Sequence, residues 1–162
     1  MRLSEGVEWG LHCAVLLAVM PSDAALATGR LAEYHGVPVD YLAKHLQAMS
    51  RAGILAAVPG RGGGYRLARP AVDVSALDVV EAVDGEDPAF KCLEIRRRGP
   101  AAAPAREYRT MCGIHRVMVE ADDAWRTRLA RTSIADLAAG VAQDASPRMI
   151  ERFGSWLEEV MP

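Results

Sequence analysis

The 162-residue sequence has no run of 18 apolar residues, so it offers no helix that could cross a bilayer. The apolar run Leu11–Met20 has no basic segment before it and no convincing cleavage site. It reads as a core helix rather than a signal peptide, and a cytoplasmic protein is expected. Cysteine is scarce: Cys13, Cys92 and Cys112 are odd in number and far apart. In a reducing compartment that pattern suits thiols or metal ligands and not a disulfide framework. Neither sign of charge dominates, with 19 Lys+Arg against 21 Asp+Glu and a net charge of −2. A strongly basic, nonspecific nucleic-acid binder is thereby excluded, although residues 1–70 carry +2 and residues 71–162 carry −4. No Ser/His/Asp set, paired-carboxylate motif or nucleotide motif is present, and there is no internal repeat. Gly60-Arg61-Gly62-Gly63-Gly64 lacks the GxxxxGK[ST] spacing of a phosphate loop and precedes a strand-like segment. The chain therefore reads as a binding protein and not an enzyme.

What is present centres on Val37 to Pro70. Leu42, Leu46 and Met49 recur at helical spacing and give Asp40–Arg51 one apolar face. Tyr41, Lys44, His45 and Gln47 fall largely on the other faces. Gly53 suits a helix stop. Ile54–Val58 reads as a strand, Gly60–Gly64 as a turn and Tyr65–Ala68 as the returning strand, closed by Pro70. A polar helix beside a basic, glycine-rich ribbon is the layout of a winged helix. Its helix fits a major groove, and Arg61 at the ribbon tip reaches the neighbouring backbone or minor groove. Tyr41, Lys44, His45 and Arg61 are the expected DNA contacts. Asp40 suits a helix cap better than a cytosine contact.

Around this unit the pattern is helical. Ser4 suits an N-cap for a helix to about Val19, and Ala27–Tyr34 reads as a short second helix. Ser75-Ala76-Leu77-Asp78 and Ser133-Ile134-Ala135-Asp136 fit capping boxes. Ser146-Pro147 starts the last helix with proline in its first turn. From Gly113 to Arg131, Ile114, Met118, Ala121, Trp125 and Leu129 recur at four and three. A seam of that length predicts homodimer packing. The fold class expected is mostly α with a small β-wing. It comprises a winged helix-turn-helix domain over 1–85, a loop over 86–112, and a dimerisation helix with C-terminal helices over 113–162. The loop holds Arg96-Arg97-Arg98 and an Ala/Pro-rich run; its length suggests a function.

Cys92 and Cys112 flank that loop with 19 residues between them. Two thiolates suit iron–sulfur or zinc. Glu8 and His12 are four apart, so both face one way and can share a metal. Spacing alone also fits an exposed Glu beside a half-buried His. Cys13 adjoins the apolar face and reads as a buried thiol.

The run YLAKHLQAMSRAGIL with GRGGGYRLARP resembles the winged-helix regulators that include IscR, NsrR and RsrR, over nearly the whole chain. The resemblance implies a dimer that binds a pseudo-palindromic operator on double-stranded DNA, with a cluster loop where Cys92–Cys112 lie. Well-known members place three cysteines there, and this chain has two. Glu8-Trp9 with His12 and two loop cysteines is similar to the RsrR type. That type holds a [2Fe–2S] cluster between two cysteines of one chain and Glu plus His of its partner, implying Cys92, Cys112, Glu8 and His12 as ligands. Cys112-Gly113-Ile114-His115 is also similar to the Cys-x-x-His of the IscR type, which makes His115 the alternative. Trp9 either packs over the cluster as a redox-coupled side chain or is a plain interface aromatic. The function expected is a transcriptional regulator, a repressor, whose affinity follows the cluster's redox state or presence. The alternative is a winged-helix regulator with zinc or no metal that senses thiol oxidation.

Overall fold

The computed structural model describes residues 3–60 and 62–161. It is mostly helical, with one two-stranded antiparallel ribbon. Helix α1 (Glu5–Ala18) lies at the centre and packs on the helices Val39–Arg51, Ala76–Asp84 and Ile134–Asp144. Val7, Cys13, Ala14, Leu16 and Leu17 form its buried side. Two glycines on that side admit neighbours. A Cβ on Gly10 would stand 3.2 Å from Met49 Sδ and from Val79 Cγ1, and one on Gly6 would overlap the His45 ring.

Helix α2 (Thr28–His35) ends at Gly36, whose φ of 65° lets its N–H reach back to Ala32 and Glu33. Helix α3 (Val39–Arg51) starts after Pro38 and buries Leu42, Leu46 and Met49 completely. The ribbon pairs β1 (Leu55–Val58) with β2 (Gly64–Leu67), Leu55 opposite Leu67 and Val58 opposite Gly64. It is docked, not free. Tyr65 N–H donates to Leu26 at 2.8 Å and Leu26 N–H to Tyr65 at 3.0 Å. Gly64 allows this approach, since a Cβ there would lie 2.1 Å from the Leu26 carbonyl oxygen.

The two capping boxes form as the sequence predicts, Ser75 with Asp78 at α4 (Ala76–Asp84) and Ser133 with Asp136 at α6 (Ile134–Asp144). Helix α7 (Pro147–Val160) has Ser146 as its cap, accepting from Met149 N–H. Its Trp156 and Phe153 rings pack on Tyr34 of α2, with centroids 4.5 and 6.1 Å away.

Ser4 is the N-cap residue of α1, as expected. Its backbone is extended as at an N-cap, but its side chain makes no cap bond. Ser4 N–H and Oγ–H both donate to the Asp84 carboxylate, tying the start of α1 to the end of α4.

Helix α5 (Gly113–Ala130) buries no residue within the chain. Its attachment is at the C-terminal half. Arg126 donates to Glu81 of α4 at 2.6 Å and to Asp122 at 2.8 Å, and Trp125 Nε1 donates to Asp122 at 2.9 Å. Trp125 is half-buried, with Asp122 and Arg126 of its own helix as neighbours. The exposed stripe runs through Ile114, Val117 and Met118, which are 69%, 62% and 38% exposed.

Candidate functional site

The buried face of α3 fixes what its other faces present. Tyr41 is 59% exposed, and Lys44 is exposed with Nζ 4.9 Å from the Tyr41 ring centre. Asp40 and Gln47 are exposed as well. These are the side chains that the first turns of a recognition helix can bring to DNA.

His45 is placed differently from the expectation. It is half-buried over Gly6 and meets the Trp9 ring edge-on at 5.9 Å. Its position facing α1 arises because Gly6 leaves a hole one imidazole wide. His45 thus fixes α3 against α1 rather than joining the outward row. Trp9, Gly6, Tyr41, His45 and Asp84 line one concavity beside the start of α3. Arg61 lies outside the described residues.

Glu8 and His12 are both exposed on one side of α1, and with Leu11 they line a second shallow concavity. Leu3, Ser4 and Glu5 line both concavities, so the two are neighbours. Behind His12 stands His35, the last residue of α2, with ring centres 5.7 Å apart. Burial, and then the nearby His12, hold the His35 pKa below the usual histidine range. Among the described residues, the buried His35 Nε2 atom has no hydrogen-bond partner. His35 carried no helical-spacing signal toward His12; only the docking of α2 on α1 brings them together.

The thiols sit elsewhere. Cys112 is the residue before α5, where the N–H groups of His115 and then Ile114 hold its thiol below the usual range, with Arg96 adding to the effect. Cys92 Sγ accepts from Glu94 N–H at 3.4 Å. Glu94 takes a left-handed conformation, φ 48°, and pairs with Arg96 at 2.5 Å. Arg96, through its hydrogen bond, holds the Glu94 carboxyl below the usual carboxylate range. Glu94 and Arg96 are thus part of the thiols' surroundings, which the sequence reading did not include. The loop is built around Tyr108. Its hydroxyl accepts from Ala103 N–H at 2.9 Å and donates to the Arg96 carbonyl, while the Arg96 guanidinium lies 5.0 Å from its ring centre.

Among the described residues, no three His, Cys, Asp or Glu side chains of one chain gather as a metal site. Neither Glu8 and His12 with the thiols nor Cys92 and Cys112 with His115 forms such a group. A centre made from either set needs a second copy or a rearranged loop. Cys13 is fully buried, and burial pushes its thiol up to about 12, which fits the structural role expected.

A family model described as Rrf2, an iron-dependent transcriptional regulator, matches residues 3–140. BadM of Rhodopseudomonas palustris (strain ATCC BAA-98 / CGA009), named as a helix-turn-helix-type transcriptional regulator, is 30% identical over 152 residues, covering 94% of this chain and 89% of its own length. Among solved structures, IscR of T. potens superposes with a TM-score of 0.67 at 20% identity, covering 93% of this chain and 96% of that one. CymR, the global cysteine regulator of B. subtilis, superposes with a TM-score of 0.66 at 19% identity, covering 86% and 97%. At such identities the two structures show the shared fold.

Proposed function

The chain belongs to the Rrf2 family of transcriptional regulators, and from that premise we propose that it acts as a homodimeric repressor whose grip on a pseudo-palindromic operator is set by a [2Fe–2S] cluster shared between protomers. In this reading, of the RsrR type, Cys92 and Cys112 of one protomer and Glu8 and His12 of the other are the ligands. The observation that carries it is the placing of Glu8 and His12. They are exposed, one turn apart, beside a concavity that the chain's own thiols do not complete. The donor set fits the group: two soft thiolates, one imidazole and one carboxylate. A cluster held this way would supply a one-electron switch, with imidazole ligation raising its potential.

The chain's own residues do the rest. Helix α5 carries Cys112 at the end remote from its attachment at Arg126 and Glu81. The stripe Ile114, Val117 and Met118 supplies a seam for the second α5. Tyr41 and Lys44 contact DNA, with Arg61 on the wing. His45 holds α3 to Gly6 and Trp9, next in sequence to Glu8, so the DNA-reading helix and the ligand-bearing helix move as one packed pair. Trp9 is in this account the redox-coupled side chain.

The test is complementation between chains. A Glu8→Ala/His12→Ala protein and a Cys92→Ala/Cys112→Ala protein should each bind cluster poorly. Their mixture should regain about half the visible absorption of the wild type in the heterodimer, where one site keeps four ligands and the other none. Loss of absorption on His115→Ala, with retention on His12→Ala, would replace this ligand set by the IscR-type one. A second reading rests on Cys112. Its lowered thiol pKa suits a sensor of thiol oxidation with zinc or no metal. Colourless protein purified without oxygen, with Cys112 oxidation releasing DNA, would favour it.

A further inference from the structure

Charge is distributed in a way that the winged helix does not use. Residues 1–85, which hold the whole DNA-reading unit, carry seven Lys+Arg and nine Asp+Glu. Residues 91–116 carry seven Lys+Arg against two Asp+Glu, a net +5 in 26 residues. A protein that binds duplex DNA must neutralise phosphates, and a unit with net charge −2 is poorly supplied for it. The basic charge lies in the loop and at the start of α5.

Its side chains are available. Arg97, Arg98, Arg106, Arg109 and Arg116 are exposed, while Arg96 is occupied by Glu94 and Tyr108. The loop has a definite shape. Tyr108 pins Ala103 to Arg96, and Ala89 N–H donates to Asp122 of α5 at 3.3 Å. The Phe90 and His115 rings, 6.1 Å apart, close its base. It also starts in the right place. Asp84 lines the same concavity as Tyr41 and His45 of α3, and the chain passes from there into the loop. Arg126 holds that exit by donating to the Glu86 carbonyl at 3.0 Å.

We propose that the arginine-rich segment over 91–116, the loop with the first turn of α5, is a second DNA-binding element, which clamps backbone phosphates flanking the site read by α3. Arginine suits this role, because its planar guanidinium meets phosphate oxygens with two parallel donors. The contact is independent of sequence, so the loop raises affinity for all duplexes alike and leaves specificity to α3 and the wing. The inference needs the family's DNA binding only and is independent of how any cluster is held.

The experiment is the salt dependence of binding to a fluorescein-labelled duplex of mixed sequence, about 30 base pairs long, which spans a dimer footprint. The wild type is compared with an Arg98→Gln/Arg106→Gln/Arg109→Gln variant and with the matching Arg→Lys variant. Arg96 and Arg97 are kept because both guanidinium groups lie over Tyr108. Each lost phosphate contact removes about 0.9 from the slope of log K against log salt. The Gln variant should lose about two to three units of slope per engaged loop and more than tenfold in affinity at low salt. The Lys variant should recover most of the slope. Sedimentation and thermal unfolding of the Gln variant should match the wild type. Three results would overturn the proposal. The first is an unchanged slope and affinity. The second is a wild type that fails to bind the duplex at about 50 mM salt. The third is a Gln variant that dissociates to monomers with its slope intact, which would place the loop on the acidic surface of a second copy.

Discussion

The winged unit and the α5 arm answer to different partners. In the winged unit, Leu31, Leu42, Leu46, Met49, Ile54 and Val79 are all sealed within one chain. In α5 no residue is sealed, although the helix is 18 residues long and carries Ile114, Val117 and Met118 on one side. The two cysteine environments follow the same division. Cys13 lies in the sealed core, whereas Cys112 stands at the open start of α5. A single chain is thus enough to build the DNA-reading unit, whereas the apolar stripe of the arm stays uncovered within it.

Thiol chemistry should break this comparison most visibly if it is wrong. Burial raises the Cys13 thiol to about 12, so roughly one part in ten thousand is ionised at pH 8. The N–H groups of His115 and Ile114 lower the Cys112 thiol and increase its thiolate at the same pH. Thiolate is the form that alkylates. In metal-free protein at pH 8, iodoacetamide should label Cys112 within minutes and leave Cys13 unlabelled until the protein is denatured. Mass spectrometry of peptides over time reads both. Equal labelling of the two would mean that the core is not closed around Cys13.

Two substitutions separate the regions by what they destabilise. Leu46→Ala opens a cavity in the fully buried face of α3 and should cost about 2–5 kcal/mol of unfolding free energy in denaturant titration. Met118→Glu should leave the unfolding of the isolated chain nearly unchanged, because the side chain is 38% exposed within it. It should instead weaken dimerisation by about 3 kcal/mol, since a charge without a partner would enter the seam. Sedimentation at several concentrations measures this. A dimer unaffected by Met118→Glu would move the interface off α5.

Much of the sealed unit was legible because local rules and tertiary packing agree there. Ser75 with Asp78 and Ser133 with Asp136 read as capping boxes and form them. Gly53 reads as a helix stop and has φ 71°. The failures are of one kind. Helical spacing says which residues share a face but not which neighbour that face meets. Ser4 is the cap residue that the sequence indicates, but its side chain serves Asp84, 80 positions on, and not its own helix. His45 reads as outward until Gly6 of another helix makes room for it. Arg126, which carries no apolar period, is the residue that ties α5 to Glu81 of α4. In the candidate site, the pairing of Glu8 with His12 followed from spacing, whereas His35, Glu94 and Arg96 came from docking and from turns without periodicity.

The smallest effect concerns the winged unit alone and sharpens its contrast with the arginine-rich loop. Lys44 is exposed on α3 beside the Tyr41 ring, in a unit whose net charge is −2. One lysine that meets one phosphate contributes about 0.9 to the salt slope. Lys44→Ala should therefore lower the slope by about one unit for operator and for unrelated duplex alike. A larger loss on the operator than on unrelated DNA would make Lys44 a base reader, since lysine can donate to guanine O6 and N7. An unchanged slope would mean that α3 enters the groove by another face, and Tyr41, on the same exposed side, would fall with it. The Lys44 effect should remain below that of the three loop arginines, because one contact is removed instead of three.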